Sequence, residues 1–189
     1  MRIAVIGWGS LIWCPGELRI ASRWHRNGPL LPVEFSRVSQ DGRLTLVIAE
    51  GAAAVTTLWA LSELDDKEQA ADNLRYREGT TRERIGDVTL EKNSTDRIHT
   101  IIKAWLERMS LEGAVWTSLP PKKPRNHEES LMTAQEASDY IRLLPEDIKG
   151  RAEQYVRNTP EQIDTVIRER LRRDFSWHNN PLPPILFVD

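Results

Sequence analysis

Apolar and polar positions follow two different rhythms along this chain. Residues 1–6 are rich in β-branched and small apolar side chains (Ile3, Ala4, Val5, Ile6), which predicts a buried β-strand. Residues 32–39 set Val33, Phe35 and Arg37 against Glu34, Ser36 and Val38, an imperfect two-residue alternation. Asp41-Gly42 then supplies a tight turn, and residues 43–50 return as a second strand. Residues 55–61 continue the β run, and residues 84–91 give one more strand. Between them Ser62 is an expected N-cap, with Glu63, Asp65 and Asp66 near the start of a helix over residues 65–75.

The second half changes period. Ile98, Ile101, Ile102, Trp105, Leu106 and Met109 recur at three- and four-residue spacing, which predicts an amphipathic helix over 96–111, ended by Gly113. Residues 114–119 read as a strand and residues 120–126 as a basic, proline-rich loop. Helices are expected near 133–143, 146–157 and 160–175, the last with Thr159 capping and Pro160 in its first turn. Residues 180–184 are extended, and the apolar residues 185–188 read as a strand or docked arm. Short strands interrupted by one helix fit the α+β class, with a small, partly open mixed β-barrel over residues 1–119. Residues 120–189 form an expected helical extension whose apolar C-terminal arm packs on the same domain.

Composition narrows the function classes. The chain has 189 residues and a net charge of −2, which gives no reason to expect nucleic acid. One cysteine excludes an internal disulfide framework and is compatible with a reducing cytoplasm. No secretory signal pattern occurs, nor any run approaching the roughly 18 apolar residues of a membrane span. The four histidines are dispersed without metal-ligand spacing, so neither a zinc site nor another cofactor is expected.

The first strand runs into Gly7-Trp8-Gly9-Ser10-Leu11-Ile12-Trp13. Glycines at a strand end allow a tight, bare turn whose N–H groups converge on a carboxylate or phosphate. The dinucleotide fingerprint needs a third glycine where Ile12 stands and a helix where Cys14-Pro15-Gly16 makes a turn. The P-loop needs a Gly-Lys-Ser/Thr ending, and no lysine occurs before Lys67. A turn between strands with no ligand is the competing structural reading.

The Gly9-Ser10-Leu11 core, with Trp8 before it and Trp13-Cys14-Pro15-Gly16 after it, resembles the Tyr-Gly-Ser-Leu loop of the γ-glutamylcyclotransferase superfamily, most of all its ChaC-type branch. Tyr76-Arg77-Glu78-Gly79, following the expected helix, is similar to that superfamily's Arg-Glu-Gly segment. The resemblance covers roughly residues 1–92, with a fainter echo at 113–119. It implies the superfamily's barrel and the cyclisation of a γ-glutamyl amine or peptide, glutathione included, to 5-oxoproline with release of the amine. It makes Glu78 the catalytic carboxylate and Trp8, Gly9, Ser10 and Leu11 the substrate-binding residues, with no cofactor. Trp8 departs from the usual tyrosine or phenylalanine. A second reading stays open: a catalytically silent member that binds a small anion in the same cavity or a protein through its extension.

Glu78 needs a raised pKa to move protons near neutrality, so Arg75, Arg77, Arg82 and Arg84 are expected mostly to face water. Without the resemblance, Glu78 would read as a surface residue at a helix end. Cys14 is expected as a small buried filler, Trp116 either to line the pocket or pack in the core, and the Lys122-Lys123-Pro124-Arg125 run to be solvated. Arg168, Arg170, Arg172 and Arg173 read as favouring the dipole at a helix end.

Overall fold

Ile3, Ala4, Val5 and Ile6 are all buried, because the first strand, β1 (Ile3–Gly7), lies in the interior of a sheet. The computed structural model describes residues 1–91, 93–124 and 127–188, and in these ten strands and five α-helices succeed one another. The remaining strands of the first half are β2 (Trp24–His25), β3 (Leu30–Leu31), β4 (Val33–Val38), β5 (Leu44–Ile48), β6 (Val55–Thr56) and β7 (Leu58–Leu61). After them come α1 (Lys67–Glu78), β8 (Ile85–Thr89), α2 (Arg97–Met109) and β9 (Gly113–Thr117). The chain closes with α3 (Ala134–Arg142), α4 (Glu146–Asn158), α5 (Val166–Phe175) and β10 (Phe187–Val188).

Six strands form one sheet in the order β10-β2-β7-β1-β9-β8, with β1 parallel to β9 and antiparallel to β7. The hairpin β4/β5 and the pair β3/β6 form two separate ribbons. Among the described residues no barrel closes, which corrects the expected architecture to an open mixed α+β arrangement. Thr57 is one reason. It belongs to neither ladder; its N–H and hydroxyl both donate to Pro29 O, at 3.2 and 2.7 Å. The single strand expected over 55–61 therefore divides, β6 pairing with β3 and β7 with β1.

Helix starts differ from the sequence expectation for identifiable reasons. Asp66, not Ser62, caps α1, its carboxylate accepting the Gln69 N–H at 2.9 Å. Ser62 instead extends the sheet edge, its N–H donating to Ile3 O at 2.8 Å. Ser110 in the left-handed region (φ 53°) ends α2, and Gly113 opens β9. Thr165 caps α5 at Val166, so residues 160–165 are turn and not helix, and Arg168 lies in the first turn instead of the last.

The extension is anchored through buried polar groups. Helix α4 packs on β5, α5 on β4 and α3 on α5. Buried Glu34 on β4 accepts the Thr165 hydroxyl and the Phe35 and Ile167 N–H groups (2.8 and 3.3 Å), so one carboxylate caps α5 from the neighbouring strand. Arg168 is fully buried and donates to Pro160 O (2.6 Å), Ile163 O (2.8 Å), Val156 O (3.2 Å) and Thr159 O. Its donors thus tie the end of α4 to the turn that follows it, where the helix dipole favours a cation. The basic loop is docked too: Lys122 bridges to Arg37 on β4, and Lys123 pairs with Glu136 at 2.9 Å. Arg125, which completes that run, lies outside the described residues. The C-terminal arm adds β10 beside β2, Phe187 opposite Trp24. Among the described residues no helix is long and apolar enough to cross a membrane.

Candidate active site

Beyond β1 the chain makes a compact turn. The Ile12 N–H donates to Gly9 O at 3.1 Å and the Cys14 N–H to Ser10 O at 2.8 Å. The N–H groups of Gly9, Ser10 and Leu11 donate to no acceptor among the described residues. Gly9 and Leu11 are buried and Ser10 half-buried, so three successive amides at a cavity wall are left to hold an anionic or carbonyl oxygen.

Glu78 reaches the same place from another element. It is the last residue of α1, and Gly79, at φ 60°, reverses the chain immediately after it. The Glu78 side chain is only 16% exposed, and its burial holds the carboxyl above the usual carboxylate range even though Arg77 pulls the other way. Arg77 is 13% exposed, with Nη1 2.6 Å from Glu78 Oε1. Its Nε donates to Pro15 O (3.3 Å) and its Nη2 to Ser10 Oγ (3.4 Å) and to Cys14 O. This corrects the expectation that Arg77 faces water: the turn exposes two carbonyls that require donors, and Arg77 supplies them. Arg84 is exposed, Arg75 reaches only Asp72 (3.0 Å), and Arg82 joins Asp87 and Glu68 at 2.6 and 2.9 Å.

Trp8, Gly9, Ser10, Leu11 and Glu78 all line one cavity of about 450 Å³. Its other walls include Arg37, Asp41 and Arg43 from the β4/β5 hairpin and Tyr155 from α4. The Trp8 indole N–H donates to Leu46 O at 3.4 Å, so its polar atom is spent on the backbone and the ring serves as an apolar wall. The Tyr155 hydroxyl is deeply buried, which pushes its pKa up to about 12. A Cβ on Gly9 would overlap that hydroxyl, so the loop needs glycine at this point.

Of the two roles expected of Trp116, the structure has core packing: it is buried outside the cavity, over Gly86 and edge-on to His99 (5.5 Å), and the nearby wall is Thr117 and Leu119. Cys14 is exposed instead of buried. Sequence reasoning missed Arg77, Arg43 and Tyr155 as wall residues. The signal for Arg77 was its place next to Glu78; Tyr155 gave none, since it continues the buried face of Ala152 and Val156. Among the described residues no cluster of three metal-ligating side chains occurs.

No family model matches the chain, and no curated protein matches it. Among solved structures it is similar to a γ-glutamyl cyclotransferase specific to glutathione from yeast, at 15% identity and a TM-score of 0.49, covering 93% of this chain and 98% of that one. A selenomethionine-labelled structure of a yeast enzyme of the same description gives 16% identity, a TM-score of 0.47 and coverage of 94% and 97%.

Proposed function

We propose that the protein is a γ-glutamylcyclotransferase-like enzyme, converting a γ-glutamyl amine or peptide to 5-oxoproline and the free amine. The observation that carries this reading is the meeting of a buried carboxyl of raised pKa with three unengaged N–H groups in one cavity. The loop and the Arg77-Glu78-Gly79 segment, which resemble the superfamily's two motifs, supply these groups to the wall of one hollow. The Trp13-Cys14-Pro15-Gly16 tail favours the ChaC-type branch, and with it glutathione as substrate in the cytoplasm.

In this mechanism the substrate's own α-amine is the nucleophile. Its nitrogen bonds to the γ-carbonyl carbon, closing a five-membered lactam, and the bond to the departing amine breaks. Ring closure of this kind starts with a large effective molarity, so the protein's task is to fold the chain and move protons. Glu78 takes a proton from the α-ammonium and returns one to the leaving nitrogen, a role typically worth about 10²–10⁴-fold. The Gly9, Ser10 and Leu11 amides hold the oxygen on which charge develops. No water is consumed and no cofactor is required.

The Arg77–Glu78 pair favours a second reading, a silent anion-binding member, because a carboxylate held by guanidinium is a weaker base. One assay separates the two. Purified protein given glutathione or γ-glutamyl-alanine is expected to release 5-oxoproline, and Glu78→Gln to stop it. A panel of γ-glutamyl compounds giving no product would leave only the silent scaffold.

A further inference from the structure

The extension has a place in the chemistry. Tyr155, carried on α4, puts its hydroxyl against Gly9, where only the absent side chain leaves room for it. That hydroxyl is deeply buried. Its own proton donates to no acceptor among the described residues. Glu78 lies near enough for its charge to act on the phenol, and both residues line the same cavity. The Leu46 carbonyl takes the Trp8 indole proton at the same wall. The Tyr155 ring is held by Phe35 and Trp13, edge-on at 6.2 and 5.3 Å. A donor so fixed, with its hydrogen still unassigned and an open hollow before it, is oriented before any ligand arrives.

We infer that Tyr155 is a further catalytic residue, donating its phenolic hydrogen bond to the γ-carbonyl oxygen of the bound γ-glutamyl group beside the Gly9 amide; this rests on the cyclotransferase reading. As the α-amine adds, negative charge gathers on that oxygen, and a prearranged neutral donor gains strength as it does so. The phenol stays protonated at neutral pH, so it acts as a donor and leaves proton abstraction to Glu78. The contact also gives residues 120–189 a role, since the wall beside the loop is incomplete without α4.

The test is Tyr155→Phe, assayed for 5-oxoproline release over a range of substrate concentrations, with thermal unfolding measured alongside. The expected result is a fall in kcat on the order of 10²-fold, with KM changed only a few-fold and a folded protein. A kcat equal to that of the unsubstituted protein overturns the inference while leaving the cyclotransferase reading intact. Should that substitution unfold the chain, fluorotyrosine installed at position 155 keeps ring and hydroxyl while acidifying the phenol; an unchanged kcat there overturns the inference equally. Absence of product from the unsubstituted protein across γ-glutamyl compounds overturns the reading itself, and Tyr155's role with it.

Discussion

Arg77 Nη1 and Glu78 Oε1 lie 2.6 Å apart, so two consecutive residues at the end of α1 turn toward the same wall. Burial raises the Glu78 pKa and the guanidinium lowers it, with burial the larger effect. Arg77 also grips the carbonyls of Cys14 and Pro15, so the pair couples the Glu78 carboxyl to the loop.

The first prediction concerns pH. A base must be ionised, so kcat/KM should fall as pH drops through the Glu78 pKa, with a midpoint above the ordinary 4.5. Arg77→Gln removes the lowering influence and should move that midpoint toward higher pH. Rate profiles of both proteins check the direction, and a shift toward lower pH would contradict it.

Glu78→Gln should abolish turnover, by about 10²–10⁴-fold, without weakening the fold. Because its folded pKa is raised, the stability Glu78 contributes is present below its unfolded value and lost as pH rises through the folded one. Above that folded value the ionised, buried group is therefore a liability. The amide variant is expected to melt at an equal or higher temperature, read by calorimetry.

Gly9→Ala forces a methyl group into the Tyr155 hydroxyl and should destabilise the protein by about 1–3 kcal/mol. Removing the hydroxyl in the same chain should recover part of the loss, because the next ring atom stands 3.4 Å from the added carbon. Urea titrations of the two single variants and the double variant measure the coupling, expected above about 0.5 kcal/mol. Additive effects would mean that the two residues do not touch.

Arg168→Leu strips donors from four carbonyls at the end of α4 and in the turn after it, and should lower stability by on the order of 3 kcal/mol. Leucine fills most of the volume, so the loss reports hydrogen bonding more than packing. Chemical denaturation checks the size. Activity should decline with it, since α4 supplies one wall of the cavity.

Much of the β framework was legible because its signals are local. The two-residue alternation around Asp41-Gly42 marks the β4/β5 hairpin, and Gly42 adopts φ 82° as such a turn requires. The β-branched run at the start likewise marks β1. Helix starts were harder where several capping residues crowd together: Ser62 lost to Asp66, and Thr159 to Thr165, on tertiary grounds that no window of sequence contains. The barrel expectation failed because two-residue strands such as β3 and β6 carry no pairing information. Glu78 and the loop were legible as paired motifs. Tyr155 was not, because a buried tyrosine on an apolar helix face looks the same whether or not its hydroxyl meets a cavity. Arg168 shows the converse, a charge whose partners are all backbone and hence invisible in composition.

The two margins of the six-stranded sheet are both blunted. On one side β10 is only Phe187–Val188, too short to template a foreign strand. On the other, β8 carries Asp87 at mid-strand, locked by Lys67 and Arg82 into a charged knot that an approaching chain would have to bury. Trimming the last few residues would strip Phe187 from β2 and bare the buried Trp24 to solvent.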